Sequence, residues 1–220
     1  MLSRRLLRVK VAKNLYAHLK SGSDNLKTSE KNLIESIDKA YDLYFQMMSL
    51  IVEVARYAES RQEIAKQKKL ATYEDLNPNR RFVDNPIITL ISNSDSVNDI
   101  LATRKLSWAN QYDAVKDVYN RMLEAEFYKN YMALATATFA DDRRFAEEFF
   151  TWLEQDEALA DIVNEMSLQW CDDYGFALYM AVRTVQNTKQ SHDELRVLPK
   201  GKIYFSVTKA ILCLVMTSAY

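Results

Sequence analysis

Apolar residues recur at spacings of three and four along most of this chain. Leu33, Ile37, Tyr41, Tyr44, Met48, Ile51 and Ala55 form the longest such stripe, which places them on one face of a helix. Thr28 or Ser29 is the predicted cap and Lys69 the approximate end. At a rise of about 1.5 Å per residue such a helix is about 60 Å long. A shorter helix is predicted before it, over Leu6–Leu19. At about 100° per residue, Val9, Val11, Ala12, Leu15, Tyr16 and Leu19 share its apolar face, with Lys10, Lys13 and Lys20 opposite. Arg8 falls inside the apolar face, so it is expected to find a carboxylate on the next helix, Glu35 or Asp38.

Between the two helices, Ser21-Gly22-Ser23-Asp24-Asn25 reads as a turn. Leu76-Asn77-Pro78-Asn79-Arg80 breaks the pattern, and Asn85-Pro86 opens a helix anchored by Ile87, Ile88, Leu90 and Ile91. Further helices are expected over about 96–104, 109–137, 141–153, 156–168 and 172–189. Trp108, Trp152 and Trp170 are read as packing residues at their junctions. Only from Ile203 to Val207 is there strand-like alternation, and 210–216 is apolar without helical period. The last segment is therefore expected to be an irregular tail that packs poorly.

Composition points the same way. Three glycines and three prolines in 220 residues are too few for the tight turns of a sheet protein. With 48% hydrophobic residues, a sizeable core can be buried. The expected fold class is all-α, a multi-helix bundle with a long amphipathic second helix. The longest apolar run, Ala210–Met216, is too short for a bilayer. No secretory signal follows the basic start. Cys171 and Cys213 are isolated, which fits buried thiols in a reducing compartment. A cytoplasmic protein is expected, without membrane contact.

Net charge is −1, but its distribution is uneven. Residues 1–20 carry Arg4, Arg5, Arg8, Lys10, Lys13 and Lys20 and no acid. Residues 141–173 carry eleven acids against Arg143 and Arg144. Two solvated faces are the simpler reading, and a polyanion partner for the basic end is the sharper one. A dimetal carboxylate site needs Glu-x-x-His pairs, and neither His18 nor His192 supplies one. Glu147, Glu148, Asp156 and Glu157 therefore read as a solvated face. No phosphate-cradling glycine loop and no nucleophile–histidine pattern is present. Neither metal, cofactor nor enzymatic activity is expected. Arginines and lysines on a helical arm can hold a single-stranded backbone by its phosphates. Tyr16 is placed to stack a base, although its apolar-face position favours core packing. The competing class is a helical scaffold whose acidic segment docks a basic partner.

Arg4-Arg5-Leu6-Leu7-Arg8-Val9-Lys10-Val11-Ala12-Lys13-Asn14-Leu15-Tyr16 resembles the opening of transcription antitermination factors of the NusB family. Ala40-Tyr41-Asp42-Leu43-Tyr44-Phe45 resembles that family's second helix. Tyr73-Glu74-Asp75-Leu76-Asn77-Pro78-Asn79-Arg80-Arg81-Phe82 and Ser167-Leu168-Gln169-Trp170-Cys171-Asp172-Asp173 resemble a longer branch with inserted helices. On this resemblance, 1–69 holds the family's N-terminal helices, 70–198 the inserted helical region, and 199–220 a tail unlike the family. The resemblance implies binding of a boxA-type single-stranded element in nascent ribosomal RNA. It also implies a NusE-type small-subunit ribosomal protein and the RNA polymerase elongation complex as partners. Arg4, Arg5 and Arg8 are the implied RNA contacts, with Lys10 and Lys13 as weaker candidates. Leu6 and Val9 depart from the charged residues common there. The family's Lys-Val-x-x-Asn-Glu helix and Phe-Val-Asn-Gly ending are absent, and no acid occurs from Leu195 to Tyr220. The expectation is a truncated or frame-shifted product.

Overall fold

The computed structural model describes residues 4–22, 25–190 and 195–198, with Arg4 described by its backbone alone. The tail from 199 onward lies outside the described residues, as do His192 and Cys213. Ten α-helices and no strand occur among the described residues, so the chain is an all-α bundle. In order they are α1 (Arg4–Ser21), α2 (Leu26–Lys66), α3 (Tyr73–Leu76), α4 (Pro86–Ser92) and α5 (Asp95–Arg104). There follow α6 (Tyr112–Glu124), α7 (Glu126–Ala133), α8 (Phe139–Leu153), α9 (Glu157–Met166) and α10 (Tyr174–Gln186). Short 3-10 turns at Ala109–Gln111 and Leu168–Trp170 precede α6 and α10.

The bundle is built around α2. Its ends are amphipathic, but from Asp42 to Val52 every residue is buried. A helix buried on all sides has to be wrapped, and α4, α5, α6 and α10 pack along it. Residues on both sides of position 69 enter this one core, from Leu43 to Leu195. Trp108 and Trp170 are buried at helix junctions as expected. Each indole N–H donates to a carbonyl of α2, Trp108 to Gln46 and Trp170 to Lys39, both at 2.9 Å. Buried indoles need such a partner.

Several boundaries differ from the expectation. Asn25, not Thr28 or Ser29, caps α2, and its Oδ1 accepts from the Thr28 N–H at 3.2 Å. A helix runs through Arg4–Ser21 rather than starting at Leu6. The predicted helix 109–137 is broken at Ala125, which is extended (φ −70°, ψ 140°). No proline or glycine marks that break. Packing explains it: α6 lies on α2, whereas α7 must turn to bring Phe127, Tyr128 and Tyr131 onto Phe145 of α8. Tertiary contacts here override local propensity. Asn85-Pro86 does begin a helix, and the Asn85 Oδ1 accepts from the Ile87 N–H at 2.8 Å.

Phe145 is almost wholly buried, stacked on Tyr131 at 4.3 Å between ring centroids and edge-on to Phe82 at 5.5 Å. Tyr131 in turn donates its hydroxyl to the buried Asp142 at 2.6 Å. Phe145→Ala would open a cavity under α4, α7 and α8. Urea denaturation is expected to show a loss of about 3–5 kcal/mol; a loss under about 1 kcal/mol would contradict this packing.

Candidate nucleic-acid interface on the first helix

α1 is a satellite of the bundle. Its apolar contacts form a small separate cluster, Leu6 and Val11 against Leu33, Ile37 and Ala40 of α2, with Leu7 and Phe176 at its edge. The described inward side is Leu6, Leu7, Lys10, Val11, Asn14 and His18, spaced by three and four. Three of those six are polar. This corrects the sequence-based assignment of the two faces in part, since Val11 is buried and Lys13 and Lys20 are exposed as expected. Tyr16 and Leu19, expected in the core, are 64% and 69% exposed. Arg8, expected to be half-buried, is exposed. Lys10, expected in solvent, is buried.

The reason for this rotation lies 163 residues away. Lys10 Nζ donates to Asp173 Oδ2 at 2.7 Å, with the two side chains 7% and 0% exposed. One turn on, Lys13 pairs with Asp172, and this pair is open to solvent at 61% and 45% exposure. Asp173 occupies the cap position before α10 without capping it, since its side chain turns to Lys10 instead. Both carboxylates sit at the positive end of the α10 dipole. Burial pushes the Asp173 carboxyl above its usual range, while the Lys10 ammonium acts against the shift. His18 Nδ1 and Ser29 Oγ share a hydrogen bond at 2.8 Å across the turn.

The outward face is a different surface. At about 100° per residue, Arg5, Arg8, Ala12, Tyr16, Leu19 and Lys20 project within an arc of roughly 120°, and all six are exposed. Lys20 Nζ lies 5.9 Å from the centre of the Tyr16 ring. Among the described residues, neither Arg5 nor Arg8 enters an ion pair. Of the expected contacts, then, Arg5 and Arg8 are brought together on one surface. Lys10 is removed from it, and Lys13 lies at its edge in partnership with Asp172. Arg4 begins the helix, with its side chain outside the described residues. Tyr16 and Lys20 complete the surface. The stripe of arginines, a tyrosine and a lysine suits phosphate contact and ring stacking together.

Acids of the 141–173 segment are largely engaged inside the molecule. Asp156 caps α9 at 3.0 Å and pairs with Arg121 at 2.6 Å, so it belongs to no solvated face. Glu147 pairs with Arg143 at 3.4 Å and Glu148 with Arg144 at 3.6 Å. Cys171 is exposed, contrary to the expected buried thiol. A cleft of about 320 Å³ between α7 and α8 is lined by Phe127, Asn130, Arg144 and Glu148 among others, and the last two already pair with each other. No three metal-ligating side chains converge among the described residues, and no helix among them is long and apolar enough to cross a membrane. No protein-family model matches the chain, and no curated protein or solved structure matches it.

The two basic positions make opposite predictions. Lys10→Met leaves a buried carboxylate unpaired and is expected to weaken the docking of α1 by about 3 kcal/mol, read as lost amide-exchange protection in α1. Arg8→Ala removes a solvated charge and is expected to stay within about 0.5 kcal/mol of the parent. Equal effects of the two would contradict the faces described.

Proposed function

We propose that this protein binds single-stranded RNA through the outward face of α1, as a transcription antitermination factor resembling the NusB family. The observation that carries the reading is the exposed stripe of Arg5, Arg8, Tyr16 and Lys20 on one side of one helix. Guanidinium and ammonium groups bind phosphates regardless of sequence, and an exposed ring stacks any base. The spacing suits a strand laid along the helix, since one turn advances about 5.4 Å. A boxA-type element, a NusE-type ribosomal protein and the elongation complex enter this reading through the sequence resemblance alone. Lys10 is not a contact in this reading but the anchor of the helix that carries the contacts.

A salt titration against a boxA-like and a scrambled RNA tests the proposal. With Arg4, Arg5, Arg8 and Lys20 each neutralising one phosphate, the slope of log affinity against log salt is expected near about −3, at roughly 0.7 per contact for single strands. Arg5→Ala together with Arg8→Ala is expected to flatten it by about 1.4. Tyr16→Ala is expected to weaken binding by about 1–3 kcal/mol without changing the slope. Salt-insensitive binding that ignores all three changes would overturn the proposal and favour a scaffold that docks a partner elsewhere.

A further inference from the structure

The two lysines that α1 turns toward the bundle are held by adjacent carboxylates of very different character. Asp173 is sealed from solvent with Lys10, so no strand of RNA reaches either group while α1 is docked. Asp172 and Lys13 are both substantially exposed, and an exposed pair of this kind is weak and open to exchange. Lys13 also lies next to Lys20 in helical projection, at the edge of the arc that carries Arg5, Arg8 and Tyr16. Its ammonium is thus within reach of the surface proposed for RNA, and its present partner is an anion of the chain itself.

We propose that Asp172 is a built-in competitor for RNA phosphate at Lys13, an autoinhibitory contact that lowers the affinity of α1 for polyanions. This rests on the reading of α1 as an RNA-binding surface. While Asp172 holds Lys13, a strand along the arc does without that ammonium; with the carboxylate gone, Lys13 adds one phosphate contact without moving the helix, because Lys10 and Asp173 keep α1 in position. The contact restrains binding most at low salt, where an exposed pair is least screened. It also separates the roles of two neighbouring acids: Asp173 positions the helix, and Asp172 masks a contact on it.

The test is a binding titration of the full chain with a labelled twenty-residue oligouridylate over a range of salt. The set is the parent, Asp172→Asn, Lys13→Ala, the two combined, and Glu165→Gln as an equal loss of charge on α9. Asp172→Asn is expected to bind about three- to tenfold tighter, with a slope steeper by about 0.7. Glu165→Gln is expected to change affinity less than about twofold, since Glu165 is an exposed charge and holds no α1 lysine in an ion pair. The gain from Asp172→Asn is expected to vanish in the Lys13→Ala background. A gain no larger than that of Glu165→Gln, or one that persists without Lys13, would overturn the inference. If binding depends on Arg5 and Arg8 yet ignores Asp172, only this inference falls. If the parent binds no RNA and no variant changes that, the reading of α1 falls and takes the inference with it.

Discussion

Burying an ammonium and a carboxylate costs several kcal/mol per ion, and their attraction repays this only where the geometry is good. Lys10 and Asp173 meet that condition on one oxygen, at 2.7 Å, while the other, Asp173 Oδ1, is buried with no hydrogen-bond partner. The upward push on the Asp173 carboxyl says that the ionised pair is held against a desolvation cost. Its contribution is therefore position more than net stability. An apolar helix face can slide or rotate on its neighbour with small loss; a buried charge with one partner cannot. Lys10 fixes the rotation of α1, and that rotation decides that Arg5, Arg8 and Tyr16 face solvent.

The contrast with α2 shows why such a device is needed. α2 is buried on every side through its middle, where the hydrophobic effect of many large apolar side chains is the main force that fixes its place. α1 has only two buried apolar residues, Leu6 and Val11, with Leu7 partly buried beside them, and Lys10, Asn14 and His18 make the rest of its inward row polar. A helix with so little buried area sits at the low end of the stability scale within a fold. The same rotation leaves its other side basic and wet, which is what a phosphate-binding surface requires. A weakly buried helix and an available basic face are two consequences of one rotation.

Much of the fold was legible in the sequence, because apolar periodicity, the Asn85-Pro86 start and the scarcity of glycine are local signals. What failed was non-local. The rotation of α1 could not be read from its own residues, since its key partners, Asp172 and Asp173, lie more than 150 residues downstream. The signal was nevertheless present in the charge pattern: an acid-free basic start and a segment rich in acids are complementary within one chain. Read as two independent surfaces, they suggest partners; read together, they suggest pairing. Likewise Ala125 carries no breaker, and only the need to bring Tyr131 against Phe145 explains the bend there. The exposure of Tyr16 follows from the rotation, so it was lost with it.

The central claim is that the buried pair docks α1 locally while the bundle stands without it. Amide hydrogen exchange measures this residue by residue. In the parent chain, amides of Val9–Leu15 are expected to exchange faster than those of Leu43–Ala55, yet to show clear protection. Asp173→Asn is expected to remove most of the protection in α1 and to leave that of the α2 core unchanged. Unaltered protection of α1 in Asp173→Asn, or an equal loss across both helices, would contradict the account.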